Sequence, residues 1–326
     1  MKVGLYFDLR NPQQWRQTPS RLYGFTIEAC EEAERLGASS AWFTEHHLFD
    51  DDYLCAPLTF ASAVAARTTR IRLGTAIVIA PLHHPAEIAE QSATVDLVSN
   101  GRLDLGLGAG YRVPEFELFD ASMTARYAQT DGTARRLREL WGTHGIRPGT
   151  VQDPLPIWMG YQGPQGARRA GLLGEGLLSA DASLWGPYSE GLAEAGHSVA
   201  AGVMSGGIQG WATDDPDADW PTVSEHLAHQ LNSYRHHLVE GTDRPPPNPV
   251  NLDHVVNSDG AGPLASFTYG TPECVAEKVK AATKGAPVDT VFFWASIGGM
   301  SDDLVMRNIN TVCTRLAPLL TEREEG

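Results

Sequence analysis

Residues 67–111 read RTTRIRLGTAIVIAPLHHPAEIAEQSATVDLVSNGRLDLGLGAGY, and this stretch is the most informative about the fold. The β-branched run at 71–80 predicts a strand. A helix is expected to open near Pro85 and to run to Val98, where Asn100-Gly101 ends it, and 102–108 predicts a second strand. A strand–helix–strand unit of this length implies parallel strands joined by a right-handed crossover.

The same alternation continues along the rest of the chain. Further strands are predicted at 3–8, 39–44, 154–160, 176–179, 201–212 and 288–296, and helices at 21–36, 57–67, 126–141, 166–174, 220–239, 271–283 and 303–320. Eight strand candidates in 326 residues favour an α/β fold of the (β/α)₈ TIM-barrel type over an open doubly wound sheet.

We expect residues 1–326 to form one barrel domain, with 185–265 as its least regular segment. The proline-rich piece RPPPNP (244–249) and the glycine-rich piece at 258–263 predict an irregular insertion before the last βα unit.

The composition excludes several classes of partner. Asp and Glu outnumber Lys and Arg by 40 to 25, a formal charge of −15, which disfavours nucleic acid and anionic membranes as partners. The 4 cysteines lie far apart without a CxxC pair, which is typical of a reducing compartment. Neither a transmembrane run nor a signal peptide is recognisable, so we expect a cytoplasmic protein.

Polar side chains cluster where the second and third strands end, which is where barrel enzymes place reactive groups. TEHHLFDDDY (44–53) follows the second strand, and a second histidine pair, His83 with His84, follows the third. His46 and His47 are adjacent on extended backbone and point to opposite faces, so no metal site is predicted there. The aspartates at 50–52 predict a solvated turn. One inward histidine could serve as an acid–base group or be structural.

Two glycine-rich segments are candidate ligand sites. GLGAGY (106–111) lacks the GxGxxG spacing of a dinucleotide loop, and indicates a strand end where backbone approaches a flat ligand. GYQGPQGARR (160–169) passes from strand to helix, and is either an anion site at a helix N-terminus or a tight turn. GxSxG, P-loop and HExxH motifs are missing from the sequence, which disfavours the common hydrolase and kinase chemistries.

Taken together, AERLGASSAWFTEHH (33–47), the stretch 67–111 and PLPIWMGYQGPQGARRAGLLGEG (154–176) resemble the bacterial luciferase-like family of flavin-dependent oxidoreductases; FTYGTPECVAEKV (267–279) matches more loosely. The resemblance implies a (β/α)₈ barrel that binds flavin mononucleotide (FMN), or the deazaflavin coenzyme F420, at the C-terminal strand ends. It assigns the catalytic role to His46, and we expect Glu45 to orient it.

The resemblance also implies a set of cofactor-binding residues. A non-prolyl cis peptide is expected at Ala76–Ile77, behind the flavin ring. Gly108, Ala109 and Gly110 would lie near the ring, and the phosphate would sit on the backbone of Gly163, Gln165 and Gly166, paired with Arg126. Luciferases carry a Ser/Thr-rich turn where this chain has Gly-Pro-Gln-Gly. Hydroxyl contacts to the phosphate would therefore be lost, and backbone N–H groups would have to replace them. Five aromatic residues could line the site or pack the core: Trp15, Trp42, Phe49, Tyr111 and Trp294.

The activity implied by the resemblance is that of a two-component monooxygenase. A separate flavin reductase would supply reduced FMN, which reacts with dioxygen to a flavin C(4a)-hydroperoxide that oxygenates a small organic substrate; a homodimer is expected. The first alternative is an F420-dependent oxidoreductase that transfers hydride, and the EHH motif favours FMN over it. A metal-dependent barrel hydrolase is a second alternative, with His46 or His47, His83 or His84, and Asp8 as ligands. A non-catalytic flavin-binding relative is a third.

Overall fold

The computed structural model describes residues 1–142, 145–258 and 266–321. The strands are β1 (Lys2–Phe7), β2 (Ser40–Phe43), β3 (Arg72–Thr75), β4 (Val78–Ile79), β5 (Leu103–Gly108), β6 (Ile157–Met159), β7 (Gly176–Leu178), β8 (Met204–Ile208), β9 (Gly210–Ala212), β10 (Thr268–Gly270) and β11 (Val288–Trp294). The helices are α1 (Pro19–Leu36), α2 (Pro57–Ala65), α3 (Pro85–Ser99), α4 (Val113–Leu118), α5 (Arg126–Trp141), α6 (Gly163–Leu173), α7 (Trp185–Glu194), α8 (Pro216–Val239), α9 (Pro272–Thr283), α10 (Asp302–Thr311) and α11 (Ala317–Thr321), with a π-helical turn at Val312–Leu316 between the last two.

The strands close into a parallel barrel. Their order around it is β3-β2-β1-β11-β8-β7-β6-β5-β4, and β3 also pairs with β5, which joins the two ends. Because β3 and β4 are consecutive pieces of one barrel position, the barrel has eight positions, and the predicted (β/α)₈ fold is confirmed. β9 and β10 form a separate two-stranded parallel sheet.

The interruption between β3 and β4 is built by Thr75. Its hydroxyl Oγ1 donates to the carbonyl oxygen of Gly106 and accepts from the backbone N–H of Gly106, both at 2.8 Å. The side chain thus takes over a backbone pairing at the point where the strand departs from regular geometry. One residue further along the chain, the peptide bond between Ala76 and Ile77 is cis, as the resemblance implied.

Replacing Gly106 with alanine is expected to destabilise the barrel. An added Cβ would lie 1.9 Å from the carbonyl oxygen of Thr75, which is backbone and has little room to move. Overpacking of this kind costs about 2–3 kcal/mol of unfolding free energy, measurable by urea denaturation. Gly132→Ala is the control: nothing lies within 4 Å of that Cβ in α5, so it should stabilise by about 0.5–1 kcal/mol. Equal stability of the two variants would contradict the packing argument.

Large aromatic side chains fill the barrel interior. Trp42, Trp158 and Phe292 form a buried cluster, and the rings of Trp42 and Phe292 stack at a centroid distance of 4.7 Å. Gly74 provides the space for this: a Cβ there would lie 2.1 Å from the ring of Trp42. Tyr6 packs against the cluster and also lines the cavity described below, so the cluster is the layer beneath that cavity.

The structure adds three elements that were not predicted from the sequence: α4, α7 and β10. Within 185–265, β8 and β9 correspond to the predicted strand at 201–212 and α8 to the predicted helix at 220–239, and the irregular run begins at Glu240. The predicted proline-rich loop at 244–249 has no regular secondary structure. Most of the glycine-rich piece at 258–263 lies outside the described residues.

Candidate active site

A cavity of about 430 Å³ lies at the C-terminal ends of the barrel strands. Its size suits a cofactor or a small ligand. The lining residues are Tyr6, Thr44, Glu45, His46, Tyr53, Ala76, Ile77, Ile79, Gly108, Ala109, Gly110, Tyr111, Tyr127, Gly160, Tyr161, Gln162, Gln209, Tyr234, Leu238 and Trp294. The predicted residues Glu45, His46, Ala76, Ile77 and Gly108 to Gly110 are therefore brought together around one space.

His46 is held in a defined orientation in the cavity wall. Its Nδ1 lies 2.8 Å from Oε1 of Glu115, and its Nε2 lies 3.2 Å from the hydroxyl of Tyr111. The same Glu115 oxygen accepts the backbone N–H of His47 at 2.9 Å, and the His46 ring stacks on Phe49 at 4.7 Å. Because a carboxylate oxygen accepts, Nδ1 of His46 carries the hydrogen, and Nε2 is the nitrogen free for proton transfer.

A buried arginine anchors the loop that carries His46. Arg112 donates to the carbonyl oxygens of His47 and Leu48, and it forms an ion pair with Glu240 at the end of α8. Its guanidinium also lies 3.9 Å from Glu115. Arg112 and Glu115 therefore connect the second strand end, α4 and α8 around His46.

Glu45 does not orient His46, contrary to the prediction. Its Oε1 accepts from Nε2 of His47 at 3.0 Å and from Nε2 of His83 at 2.5 Å, and its Oε2 accepts the N–H of Ile79 at 2.6 Å. Successive side chains on extended backbone diverge, which directs Glu45 and His46 to different neighbours. His47 faces away from His46, as predicted.

The contact between Glu45 and His83 shifts both pKa values. Burial alone would lower the pKa of His83, but the hydrogen bond and the charge of Glu45 outweigh burial and raise it. Burial alone would raise the pKa of Glu45, whereas hydrogen bonds from His47, His83 and Ile79 hold it below its usual range. The pair is therefore ionic at moderately acidic pH.

We expect His83→Gln to destabilise the protein more at pH 6 than at pH 9. A histidine whose pKa is raised on folding stabilises the fold fully below its unfolded value of about 6.5, and loses that contribution as pH rises through the folded value. Urea unfolding of wild type and variant at both pH values measures the difference. His254→Gln, on the exposed surface, should show no such pH dependence. A difference that grows with pH would contradict the ion pair.

The aspartates of the 50–52 run have different environments. Asp50 and Asp52 are exposed, as predicted, but Asp51 is buried and pairs with Arg10 at 2.7 Å. The prediction of a fully solvated turn is wrong for Asp51 because the loop folds back on the first strand end, where Asn11 donates its N–H to the Asp51 carbonyl.

Asp8, at the end of the first strand, is also buried. Burial is the main cause that raises the pKa of Asp8 to about 7, although the charge of Arg10 lowers it.

The metal-ligand set considered for a hydrolase does not come together. In the parts of the chain that the structure describes, the group of metal-type side chains whose ligand atoms converge is His236, His237 and Glu240, outside the proposed set. His47 and His83 share the carboxylate of Glu45 instead. The hydrolase interpretation therefore loses its structural basis.

The glycines near the cavity make room for Ile77. A Cβ on Gly108 would lie 2.7 Å from Cδ1 of Ile77, and one on Gly160 would lie 2.5 Å from Cγ2 of the same side chain. Gly110 similarly faces Ile79 at 2.7 Å. The glycine cluster thus seats two isoleucines in the cavity wall, where the sequence suggested direct approach of the backbone to a ligand.

The start of α6 adjoins the opposite end of the cavity. Gln162, immediately before the helix, lines the cavity, and no side chain caps the first turn. Gly163 has a φ of 68° and open space in front of it, which admits a ligand atom. Gly166 is required by packing, since its Cβ would meet Cβ of Tyr161 at 2.7 Å, and Gln165 faces an outer groove.

Arg126 begins α5 beside this helix. Its guanidinium lies 4.6 Å from the ring centroid of Tyr127, a cavity-lining residue, and it donates to the carbonyl oxygen of Met123. Its Nε has no hydrogen-bond partner within residues 1–142, 145–258 and 266–321. The guanidinium therefore retains capacity for an anion.

Four residues around His46 were not predicted from the sequence: Arg112, Glu115, Tyr53 and Tyr234. Both Arg112 and Glu115 follow β5 closely. Arg112 immediately precedes the six-residue helix α4, and Glu115 lies in its first turn. Proline followed by an acid, as in Val113-Pro114-Glu115, is a helix-start pattern that could have drawn attention to this strand end. The tyrosines carry no local signal.

The profile of the luciferase-like monooxygenase family matches residues 1–290. The chain belongs to this family. Relatives of the chain carry the names of monooxygenases and dehydrogenases, and the barrel of this chain is the luciferase-like form of the TIM barrel.

Curated relatives of this luciferase-like chain use different cofactors. The oxygenase component of a flavin-dependent trigonelline monooxygenase from Acinetobacter baylyi is 37% identical over 125 residues, which cover 38% of this chain and 33% of that protein. An F420-dependent glucose-6-phosphate dehydrogenase from Amycolatopsis mediterranei is 29% identical over 175 residues, 47% of this chain and 52% of the relative. The chain spans about half the length of the curated relatives it matches, or less.

Solved luciferase-like structures show the same fold. The monooxygenase RslO1 from Streptomyces bottropensis superposes with a TM-score of 0.79 at 20% identity, over 98% of this chain and 99% of that one. An F420-dependent secondary alcohol dehydrogenase gives 0.73 at 17% identity, over 98% and 99%. Both enzyme types thus share this barrel. Among the described residues, no helix has the length and apolar character needed to cross a membrane.

Proposed function

We propose that this protein is a flavin-dependent monooxygenase that uses reduced FMN and dioxygen to oxygenate a small organic substrate. One oxygen atom of dioxygen enters the substrate, the other leaves as water, and reduced FMN is oxidised. The observation that carries the proposal is His46, held by Glu115 and Tyr111 in the wall of a cavity whose other end adjoins an uncapped helix start.

The residues present fit FMN. The orphaned Nε of Arg126, the uncapped first turn of α6 and the open space at Gly163 suit a phosphate. The flat ring would lie against Ala76, Ile77 and the 108–110 strand end. FMN bound there would supply the two electrons that activate dioxygen.

His46 is proposed to manage the proton that oxygenation requires. Glu115 fixes hydrogen at Nδ1, which leaves Nε2 to exchange a proton with the reacting oxygen, and the hydroxyl of Tyr111 contacts Nε2 and holds the ring in place. Glu45 is not assigned a proton-transfer step, since both its oxygens are engaged by other groups. Trp294 and Tyr234 line the cavity and limit the access of water.

Of the predicted aromatic residues, Tyr111 and Trp294 line the cavity, and the ring of Phe49 stacks on the ring of His46. Trp42 belongs to the core layer, and Trp15 packs against His226, so neither is assigned a role with the substrate.

Arg126→Leu is expected to weaken binding of reduced FMN by roughly 10- to 100-fold, because a charge-assisted contact to phosphate is lost. Binding of reduced riboflavin, which has no phosphate, should change by less than about twofold. Anaerobic fluorescence titration measures both. Arg136→Leu is the control, since Arg136 lies on the outer face of α5 and pairs with Glu139. An equal loss for the two flavins would remove Arg126 from the phosphate site.

The decisive experiment compares the two cofactors. The purified protein is titrated anaerobically with reduced FMN and with reduced F420, and then exposed to ¹⁸O₂ with a panel of small organic molecules. We expect tight binding of FMN and a product that carries one ¹⁸O atom. Binding of F420 alone, with hydride transfer and no labelled product, would replace the monooxygenase by the dehydrogenase type found among the relatives.

The proposal includes three properties of the whole protein. Reduced flavin would be supplied by a separate reductase, as the name "oxygenase component" of the trigonelline relative suggests for that system. The protein is proposed to act as a cytoplasmic homodimer. The four cysteines are all free thiols, which agrees with a reducing compartment.

A further inference from the structure

We propose that the part of the cavity beside His46 binds an uncharged aromatic molecule that bears one hydroxyl or carbonyl group. The inference rests on the proposed function, in which FMN takes the opposite part of the cavity. The substrate class follows from the side chains of the cavity wall that FMN would not cover.

The cavity has two sides because its walls come from two arcs of the barrel. β4, β5 and β6 are consecutive in the barrel, and their ends and the start of α6 form the side assigned to FMN. β1, β11 and β8 are consecutive in the other arc. They contribute Tyr6, Trp294 and Gln209, and α8 adds Tyr234 and Leu238. This second side is the substrate side, and His46 and Tyr53 complete it.

The substrate side disfavours charged molecules of either sign. Within the described residues no lysine or arginine lines the cavity, and the carboxylate of Glu45 is saturated by its own partners. A buried anion would thus be unpaired, which is costly. Arg10 lies behind the wall, 4.7 Å from the ring centroid of Tyr234 and 5.4 Å from that of Tyr53, and it pairs with Asp51. The guanidinium of Arg10 already forms cation–π contacts with both rings, and its charge repels a second cation.

Aromatic rings make up most of the substrate side. Tyr53 and Tyr234 lie with ring centroids 6.2 Å apart at 73°, and Tyr53 meets His46 edge-on at 4.9 Å. Tyr6 and Trp294 add two more rings, and Tyr111, which follows β5, contacts His46 at the border between the two sides. Such a wall offers both faces and edges, and a flat ring that enters it gains offset-stacked and edge-to-face contacts that a saturated ring lacks.

Three polar groups in the cavity wall have unused hydrogen-bonding capacity, and one of them is the hydroxyl of Thr44, which is buried and has no partner in the part of the chain that the structure describes. The hydroxyls of Tyr53 and Tyr234 are 2.8 Å apart, and that of Tyr6 lies 3.5 Å from Tyr53. Three hydroxyls joined by two contacts leave one O–H hydrogen to donate. Oε1 of Gln209 is buried and has no partner among the described residues. The free tyrosine donor and the free acceptor of Gln209 together match a single hydroxyl, a donor alone matches a carbonyl, and the Thr44 hydroxyl can serve either group.

Four bicyclic probes of matched size test the inference: 2-naphthol, 2-naphthoate, N-methylquinolinium and decahydro-2-naphthol. Each is titrated calorimetrically into the protein, alone and anaerobically with reduced FMN. We expect 2-naphthol to bind at least about tenfold more tightly than each of the other three. Tyr234→Phe should weaken 2-naphthol binding by roughly fivefold and leave the binding of naphthalene, a fifth compound that has no polar group, unchanged. Tyr23→Phe, on α1, is the matched control and should change neither.

Any other ranking overturns the inference. Equal or tighter binding of naphthoate or N-methylquinolinium would show that charge is accepted, and equal binding of decahydro-2-naphthol would show that the rings are not recognised. No binding of any probe, or no effect of Tyr234→Phe, also overturns it. Binding of reduced FMN is read in the same experiment, so an FMN-binding protein without the preference rejects only this inference. A preference without FMN binding rejects the proposed function.

Discussion

The variant His46→Ala is expected to form oxygenated product roughly 100- to 10,000-fold more slowly than the wild type, the range in which a positioned acid–base group contributes. The side chain presents Nε2 to the cavity, and none of the neighbouring groups can replace it, since Tyr111 is itself oriented by contact with this nitrogen. Dioxygen consumption should continue, with hydrogen peroxide released in place of product. The ratio of product to dioxygen consumed is the most direct measurement.

The effect must be separated from loss of the fold or of the cofactor. We expect the affinity of His46→Ala for reduced FMN to stay within about threefold of the wild type, because the phosphate end of the cavity is built by α5 and α6. His84→Ala is the matched control: His84 accepts the N–H of Ala86 at the start of α3, outside the cavity, and its loss should leave turnover unchanged. Unchanged turnover in His46→Ala would remove it from the chemistry.

The barrel was predictable because each βα unit carries its own local signals. The β-branched run at 71–80, the Pro85 helix start and the Asn100 helix end are all read from neighbours in the chain, and α3 begins and ends within one residue of the prediction. Since parallel barrels place strand ends together, these local assignments also placed His46 at the cavity. The cis bond at Ala76–Ile77 followed from the family resemblance rather than from any local pattern.

The partners of His46 were not predictable in the same way. Glu115 is 69 residues away in sequence, and its helix α4 has only six residues, too few for a periodic pattern. The adjacent Glu45 was the natural candidate, but backbone direction sends it to His83. Asp51 shows the same limit: only the fold brings Arg10 to it, so nothing local distinguishes it from Asp50.

Glu115→Gln is expected to lower turnover by roughly 10- to 150-fold, the second-largest effect. A hydrogen bond to a charged group contributes about 1.5–3 kcal/mol, which corresponds to this range in rate. Glutamine keeps an oxygen at the position that accepts the N–H groups of His46 and His47, so the loop should remain in place. What is lost is the negative charge that stabilises the imidazole ring of His46 when it holds a second proton.

If Glu115 positions His46 and supplies charge, its variants should change kcat alone, whereas a role in folding would also change KM and FMN affinity. In Glu115→Gln we expect kcat to fall while KM and FMN affinity change by less than about threefold, and Glu115→Asp should recover part of kcat because the charge returns on a shorter side chain. Glu117→Gln, two residues further along the same helix, supplies the matched control; its carboxylate makes none of the contacts that hold His46. If Glu115→Asp were as slow as Glu115→Gln, or if KM rose in step with the loss of kcat, Glu115 would be a structural residue of α4 and His46 would have to work without a charged partner.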